Sequence, residues 1–235
     1  MSALENLRKK LRKLGSPQKA KVYGVFFKTG PGQYGEGDQF LGVTVPEQRQ
    51  VARAFKDLPL ADLKKLLHSK IHEERLTALL ILVSQYQSAD EAGKKKIYSF
   101  YLANAKRVNN WDLVDSSAHH IVGHFLSNKN SAVLDQLSRS KNLWERRISI
   151  VATWHGIRNG NVKDVIRISG KLLNDDHDLI HKAVGWMLRE AGKRNPSALE
   201  NFLAKHHRKM PRTMLRYSIE KFPEKKRKQY LNGKR

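Results

Sequence analysis

Asp115 is the residue that most needs a chemical explanation, because it is a carboxylate near the apolar side of a predicted helix. The helix is expected to start at Trp111, where Asn110 can cap the free amides and Asp112 suits the positive end of the helix dipole. At about 100° per residue, Asp115 falls at the edge of the apolar arc, whereas Asp112 points outside it. Burying an ionised carboxylate costs several kcal/mol unless it is compensated. We therefore expect Asp115 to act on a positively charged substrate.

A second charge of this kind lies further along the chain. Arg147 falls inside the apolar arc of the helix that begins at Trp144, whereas Arg146 falls outside it and is expected on the surface. Trp186 lies at the margin of the apolar stripe of a later helix, where an indole is either half-covered core or a stacking surface. Two interpretations stay open. Asp115 and Arg147 could form a structural ion pair between helices, or they could belong to a site.

The net charge indicates a polyanionic partner. Lys and Arg number 45 against 22 Asp and Glu, which gives a formal charge of +23 spread over the whole chain. Nucleic acid is the expected partner, ahead of a basic surface without a binding role or of an anionic membrane. No apolar run is long enough for a membrane span, no signal peptide is evident, and the chain has no cysteine. We expect a cytoplasmic protein without disulfides or thiolate metal sites.

The elements that must position these residues are helices in a repeating order. Apolar helices alternate with a second set at intervals of roughly 30–40 residues, which is typical of HEAT-like repeats. We predict an all-α fold, an α-solenoid of stacked antiparallel helical pairs with a concave basic face. A single domain is expected over 1–235, with N-terminal helices and a Gly-rich loop in 1–44 and helical repeats in 45–235. The repeated helices are expected near 73–82, 111–125, 144–151, 181–188 and 213–219.

The N-terminal part combines two predicted helices, at 2–14 and 18–27, with a Gly-rich loop at 28–42. The loop lacks the Gly-Lys-Ser/Thr ending of a P-loop and no strand precedes it, so a nucleotide cradle is not favoured. A flexible loop is the ordinary interpretation. Its free amides and Lys28 could still contact a backbone phosphate.

Three motifs resemble one known family. Asn-Trp-Asp-Leu-Val-Asp at 110–115, Leu-Trp-Glu-Arg-Arg at 143–147 and Lys-Ala-Val-Gly-Trp-Met-Leu-Arg-Glu at 182–190 resemble the AlkD family of DNA alkylation repair glycosylases. Phe-Leu-Gly-Val at 40–43 and Pro-Glu-Gln-Arg at 46–49 look like that family's N-terminal segment. The resemblance covers nearly the whole chain, although the Gly-rich loop is longer than in compact members.

The resemblance implies a HEAT-like fold and the removal of cationic N3- or N7-alkylated purines from duplex DNA. It places the family's catalytic acid on Asp115, its two indoles on Trp111 and Trp186, and its phosphate-contacting arginine on Arg147. Such a base is already a good leaving group, so the enzyme must mainly stabilise an oxocarbenium-like sugar with a fixed negative charge and position a water. Indole faces attract cations by roughly 0.5–2 kcal/mol, which suits both tryptophans.

Together with Arg147, we regard three further residues as candidate DNA-binding residues: Arg146, Lys182 and Lys28. No metal or other cofactor is expected. His120 and His124 have the i, i+4 spacing of metal ligands but point to the polar side of their helix, and His72-Glu73-Glu74 lacks the second histidine of a metalloprotease helix.

We expect a monomeric, monofunctional glycosylase, because no lysine stands out as a covalent nucleophile. The alternatives are a non-catalytic HEAT-like protein that recognises unusual DNA structure and a protein-binding scaffold.

Overall fold

All regular structure in the described residues is helical, which confirms the predicted all-α class. The computed structural model describes residues 2–127 and 129–233. Within them the one strand-type pairing is an isolated parallel bridge between Gln39 and Ile71. The chain divides into two compact units, Met1–Ser117 and Ala118–Arg235. The single domain, the superhelical stacking and the concave face stay predictions.

The first unit carries the N-terminal helices and the helix of Asp115. Helix α1 begins with a capping box between Ser2 and Glu5 and buries Leu4, Leu7 and Leu11. The start of α5 is buried although it is rich in charged residues, and Glu74 there binds Arg8 of α1 at 3.1 Å. The helices are α1 (Ala3–Leu14), α2 (Pro17–Phe26), α3 (Val45–Ala54), α4 (Leu60–Leu67), α5 (His72–Ser88), α6 (Glu91–Ala103), a 3₁₀ turn (Ala105–Arg107) and α7 (Trp111–Asp115).

The second unit begins with a π-helical turn at His119–Gly123. Gly123 packs so closely on the neighbouring backbone that a Cβ there would lie 2.2 Å from the carbonyl oxygen of Ala152. The helices after this turn are α8 (His124–Leu126), α9 (Ala132–Ser138), α10 (Leu143–Val151), α11 (Trp154–Arg158), α12 (Lys163–Lys171), α13 (Asp178–Arg194), α14 (Pro196–His206), α15 (Arg212–Ser218) and α16 (Glu224–Leu231).

One helix prediction was wrong in its length. The continuous helix expected over 111–125 ends at Asp115, and helical structure resumes with the π-helical turn. Two hydroxyls explain the break, because Ser116 Oγ and Ser117 Oγ both donate to the carbonyl of Leu113, at 3.3 and 2.6 Å. Side-chain hydroxyls that bind nearby carbonyls compete with the helical ladder. No helix among the described residues is long and apolar enough to cross a membrane.

Candidate functional site

An aromatic-lined cavity of about 540 Å³ lies in the first unit, between α2, α3, α5 and α7. Its wall includes Asp115 and Trp111, which α7 presents one helical turn apart. The exposed Arg49 of α3 stands at the same cavity. The remaining lining is mostly apolar: Val22, Tyr23, Phe26, Phe27, Phe40, Val43, Val45, Gln48, His72, Glu73, Leu76, Leu80, Asp112 and Ser116.

Trp111 is held by its cap and by two phenylalanines. Its backbone amide donates to Asn110 Oδ1 at 2.8 Å, which fixes the start of α7. Its indole stacks on Phe27, with ring centroids 5.3 Å apart and planes 17° apart. Phe26 meets it edge-on, with centroids 5.9 Å apart. The indole is half-buried and lines the cavity, so it is both fixed in position and accessible to a ligand there.

The stacking continues from Trp111 into the unit. Phe27 stacks on Phe40 at 5.1 Å, and Phe40 stacks on the imidazole of His72 at 4.7 Å. Tyr23 closes the group edge-on against Phe27 and Phe40, at 6.4 and 6.0 Å. Aromatic pairs in these geometries stabilise by about 0.5–1.5 kcal/mol beyond their buried area. The row of rings therefore gives the cavity a rigid wall.

Beneath the rings lies a buried charge network, formed by Asp38, His72, Arg75 and Asp112. His72 Nε2 lies 2.8 Å from Asp112 Oδ2, and its Nδ1 lies 3.2 Å from Asp38 Oδ2. Arg75 Nη2 donates to both oxygens of Asp38 at 2.7 Å. Buried charges persist only when they are paired and hydrogen-bonded, and this network pairs each cation with a carboxylate. It ties the Gly-rich loop, α5 and α7 together.

The protonation states are set by these contacts. Burial alone would lower the pKa of His72, but the charge of Asp112 and its hydrogen bonds to Asp112 and Asp38 raise it to about 9. Burial would raise the pKa of Asp38, but the hydrogen bond from His72 and the charge of Arg75 hold it below its ordinary value. His72 is therefore an imidazolium at neutral pH, between two carboxylates.

Asp112 and Asp115 differ in what they contact. Asp112 was expected to point away from the apolar side, but it is largely buried against His72, because α7 packs on the start of α5. Asp115 is half-buried on the cavity wall. Burial raises the pKa of the neighbouring Tyr101, and the charge of Asp115 raises it further. The carboxylate of Asp112 is engaged by the imidazolium of His72, and Asp115 lines the cavity wall one helical turn from Trp111.

The Gly-rich loop is fixed by hydrogen bonds to carboxylate and amide side chains. Glu73 accepts the backbone amides of Leu41, Gly42 and Val43 at 2.8–3.2 Å. The amides of residues 30 and 32 donate to side chains within the loop, at 3.0 and 2.9 Å. These amides, which could have contacted a phosphate, therefore donate to acceptors within the protein. Lys28 has an exposed side chain and a left-handed backbone, with φ of 54°.

The other predicted residues lie in the second unit. Trp186 is half-buried on α13 and meets Trp154 edge-on, with centroids 5.0 Å apart. Arg147 is only 4% exposed, as its place in the apolar arc predicts, and its Nη1 donates to the carbonyl of Leu179 at 2.6 Å. Lys182 is partly exposed and pairs with Asp178 at 2.7 Å.

Arg146 is not the ordinary surface residue that its helical position predicts. Its Nε binds Asp175 Oδ2 at 2.6 Å, and its Nη1 donates to the carbonyls of Ser140 and Lys141. These bonds hold the turn before α10 against the turn before α13. The helical wheel missed them because it reports direction around one helix, whereas Asp175 lies 29 residues further along the chain.

Sequence reasoning also missed Asp38, His72, Arg75 and Arg49. A signal was present for two of them, because the run from His72 to Arg75 places four ionisable residues at the start of an apolar helix. Such a run needs buried partners. Among the described residues there is no group of three or more His, Asp or Glu side chains placed to hold a metal ion.

Comparison with known proteins defines the class. The sequence matches the family described as DNA alkylation repair enzyme over residues 7–222, so the chain belongs to that family. A solved structure from Enterococcus faecalis, described as a predicted DNA alkylation repair enzyme, has a TM-score of 0.68 and 16% sequence identity. The alignment covers 89% of the present chain and 97% of the Enterococcus chain. The smu.31 structure from Streptococcus mutans UA159 has a TM-score of 0.53 and 15% sequence identity, and the alignment covers 95% of the present chain and 100% of the Streptococcus chain. These likenesses show the fold. No curated protein matches the sequence.

Proposed function

We propose that the protein is a monofunctional DNA glycosylase that hydrolyses the N-glycosidic bond of cationic alkylated purines, such as N7-alkylguanine and N3-alkyladenine, in duplex DNA. The family supports a role in alkylation repair. The observation that carries the proposal is the pair formed by Asp115 and Trp111, one helical turn apart on the wall of the aromatic-lined cavity. The pair combines a carboxylate with an indole face, and both groups can stabilise the positive charge that develops on the sugar.

The reaction can be assigned to these groups without protonating the base. The bond between the sugar C1′ and the purine nitrogen breaks, and its electron pair neutralises the positive ring. The developing oxocarbenium ion is stabilised by the charge of Asp115, and a water oxygen then bonds to C1′ and passes its proton to the Asp115 carboxylate, which releases it to solvent. Trp111 limits access of bulk water on one side and attracts the cation through its ring face.

The charge network supports this assignment by placing α7. His72 binds Asp112 in the first turn of the helix that ends at Asp115, and Asn110 both caps Trp111 and donates to Asp38 at 3.3 Å. A site held by buried ion pairs keeps its geometry before the substrate arrives, and such preorganisation is the condition for strong electrostatic stabilisation. We assign His72 and Asp112 as positioning residues.

For the DNA backbone we propose contacts from the exposed Lys28, from the partly exposed Lys182 and from Arg49 at the cavity. Arg146 and Arg147 already donate to protein acceptors, which favours a structural role for both side chains in addition to any contact with DNA. A phosphate contact for Arg147 and a sugar contact for Trp186 stay predictions from the family resemblance.

The Asp115→Asn variant tests the proposal. We expect excision of N7-methylguanine from duplex DNA to fall by at least ~100-fold, as for removal of a key stabilising charge, while duplex affinity stays within about threefold. The measurement is release of free base in single-turnover experiments. The matched control is Asp57→Asn, which makes the same charge change at an exposed position of the same unit.

Two other results would contradict the proposal. Unchanged excision by Asp115→Asn would remove this carboxylate from catalysis. No excision by the unmodified protein, with tight and steeply salt-dependent duplex binding, would instead favour the non-catalytic DNA-binding alternative.

A further inference from the structure

Helix α2 presents an apolar face to solvent beside the cavity. Val22, Val25 and Phe26 are 61%, 82% and 60% exposed, and α2 has no buried residue. Their i, i+3, i+4 spacing places them on one face of the helix. Contiguous exposed apolar surface on a protein marks an interaction site.

The face is continuous with the site already described. Val22 and Phe26 line the cavity, and the ring of Phe26 lies edge-on to the indole of Trp111. The exposed Val45 of α3 lines the same cavity. A ligand seated at Trp111 and Asp115 therefore has this face as its immediate neighbour.

The opposite side of α2 is fixed to the unit, so the exposed face is held in place. The amide of Ser16, at the start of α2, donates to the carbonyl of Leu41 at 2.8 Å. Gly42, with φ of +81°, lets the loop backbone pass so close that a Cβ there would lie 2.2 Å from the oxygen of Ser16. At the other end, Phe27 is clamped between Phe40 and Trp111.

The charges around the face select an anionic partner. Lys19 and Lys21 are exposed on α2, Lys28 is exposed just after it, and the helix contains no acidic residue. At about 100° per residue, Lys19 lies next to Phe26 on the same side, and Lys21 borders Val25. Apolar side chains flanked by cations match a DNA groove, where phosphates border the apolar faces of sugars and bases.

We propose that the face formed by Val22, Val25 and Phe26 is an apolar wedge that seats against the sugars and base edges of duplex DNA in the minor groove, with Lys19 and Lys21 on the flanking phosphates. The inference rests on the DNA-binding part of the proposed function and is independent of the excision chemistry. The wedge adds affinity at the lesion without reading the alkyl group, and it holds the duplex against Trp111.

The test compares binding of undamaged duplex DNA by three variants over a range of salt. The triple variant Val22→Ser, Val25→Ser, Phe26→Ser is expected to bind at least ~10-fold more weakly, with an unchanged slope of log affinity against log salt, because it loses no charge. The double variant Lys19→Ala, Lys21→Ala is expected to reduce that slope by about 2. The matched control, Tyr217→Ser, removes an exposed apolar side chain of the second unit and should leave both values unchanged.

Folding and competing partners are controlled in the same experiment. The substituted side chains are mostly exposed, although Phe26 loses its edge contact with Trp111, so the triple variant should still unfold in a single cooperative transition in urea. A Phe26→Leu variant, which keeps an apolar side chain, should retain most of the affinity. The proposal is overturned if the triple variant binds duplex like wild type. It is equally overturned if the variant loses only binding to anionic vesicles or only self-association, because the face would then serve a membrane or a second copy of the chain.

Discussion

His72 in the first unit lies between two carboxylates, whereas His120 and His155 in the second unit lie near Arg158. The pKa of His72 is raised to about 9 by its carboxylate partners against the effect of burial. The pKa values of His120 and His155 are lowered, first by burial and further by neighbouring cationic groups. Carboxylates therefore raise the pKa of His72, whereas Arg158 adds to the effect of burial in lowering the pKa values of His120 and His155.

The largest stability difference between the units is expected from removing one ion-paired arginine in each. Arg75→Met leaves Asp38 buried with a single cationic partner and should lower the free energy of unfolding by about 3–5 kcal/mol. Arg146→Met removes a partly exposed pair with Asp175 and should cost about 1–2 kcal/mol. Urea denaturation of both variants measures the two values. Equal losses would show that the network beneath the cavity contributes no more to the free energy of unfolding than the ion pair of the second unit.

Raising the pH should lower the stability of the first unit. The folded pKa of His72 is above its unfolded value of 6.5, so its contribution is fully present below pH 6.5 and is lost as the pH rises through about 9. The corresponding loss is on the order of 3 kcal/mol. Urea denaturation between pH 6.5 and 9.5 should show this decline in wild type. A His72→Phe variant, which keeps a ring against Phe40, should be less stable at neutral pH but lack that decline.

Two glycines with similar backbone angles sharpen the comparison further. Gly42 and Gly160 have φ of +81° and +80°, so an alanine is strained at both. A Cβ at Gly42 would also meet the backbone of Ser16 and Ala20, whereas at Gly160 it would meet open space. We expect Gly42→Ala to cost about 2–3 kcal/mol and Gly160→Ala about 1 kcal/mol. Thermal unfolding measures the difference, and a similar cost at both would mean that α2 shifts freely.

The smallest effect is expected on the acid side, from the second unit. Because the folded pKa values of His120 and His155 are below 6.5, their contribution is present above that pH and is lost as the pH falls through the folded values. Both side chains are partly exposed, so the change should stay below ~1 kcal/mol. A double variant, His120→Asn and His155→Asn, should flatten the stability profile between pH 7 and 5. A steeper profile would contradict the lowered pKa values of these two histidines.

Helical periodicity predicted most of the helices, and it placed Trp111 and Asp115 on one side of α7. It missed the charge network because hydrogen bonds from His72 to Asp38 and Asp112 join residues 34 and 40 positions apart. A helical arc identifies a face but not its partner, which is why Asp112 was assigned to the outside and Arg146 to the surface. The exposed apolar face of α2 was not predicted for a related reason. Its exposure depends on which side of the helix the loop around Gly42 covers.

The π-helical turn at His119–Gly123 makes packing in the second unit depend on the number of residues in that turn. Such a turn holds one residue more than an α-turn, and here the extra residue delivers Gly123 to the carbonyl of Ala152, where a side chain has no room. Deleting any one of these residues would rotate the downstream helix by roughly 100° and bring a neighbour bearing a Cβ to that crossing. Alanine scanning would detect only the missing space at Gly123, whereas a single-codon deletion scan would reveal that the number of residues in the turn is constrained.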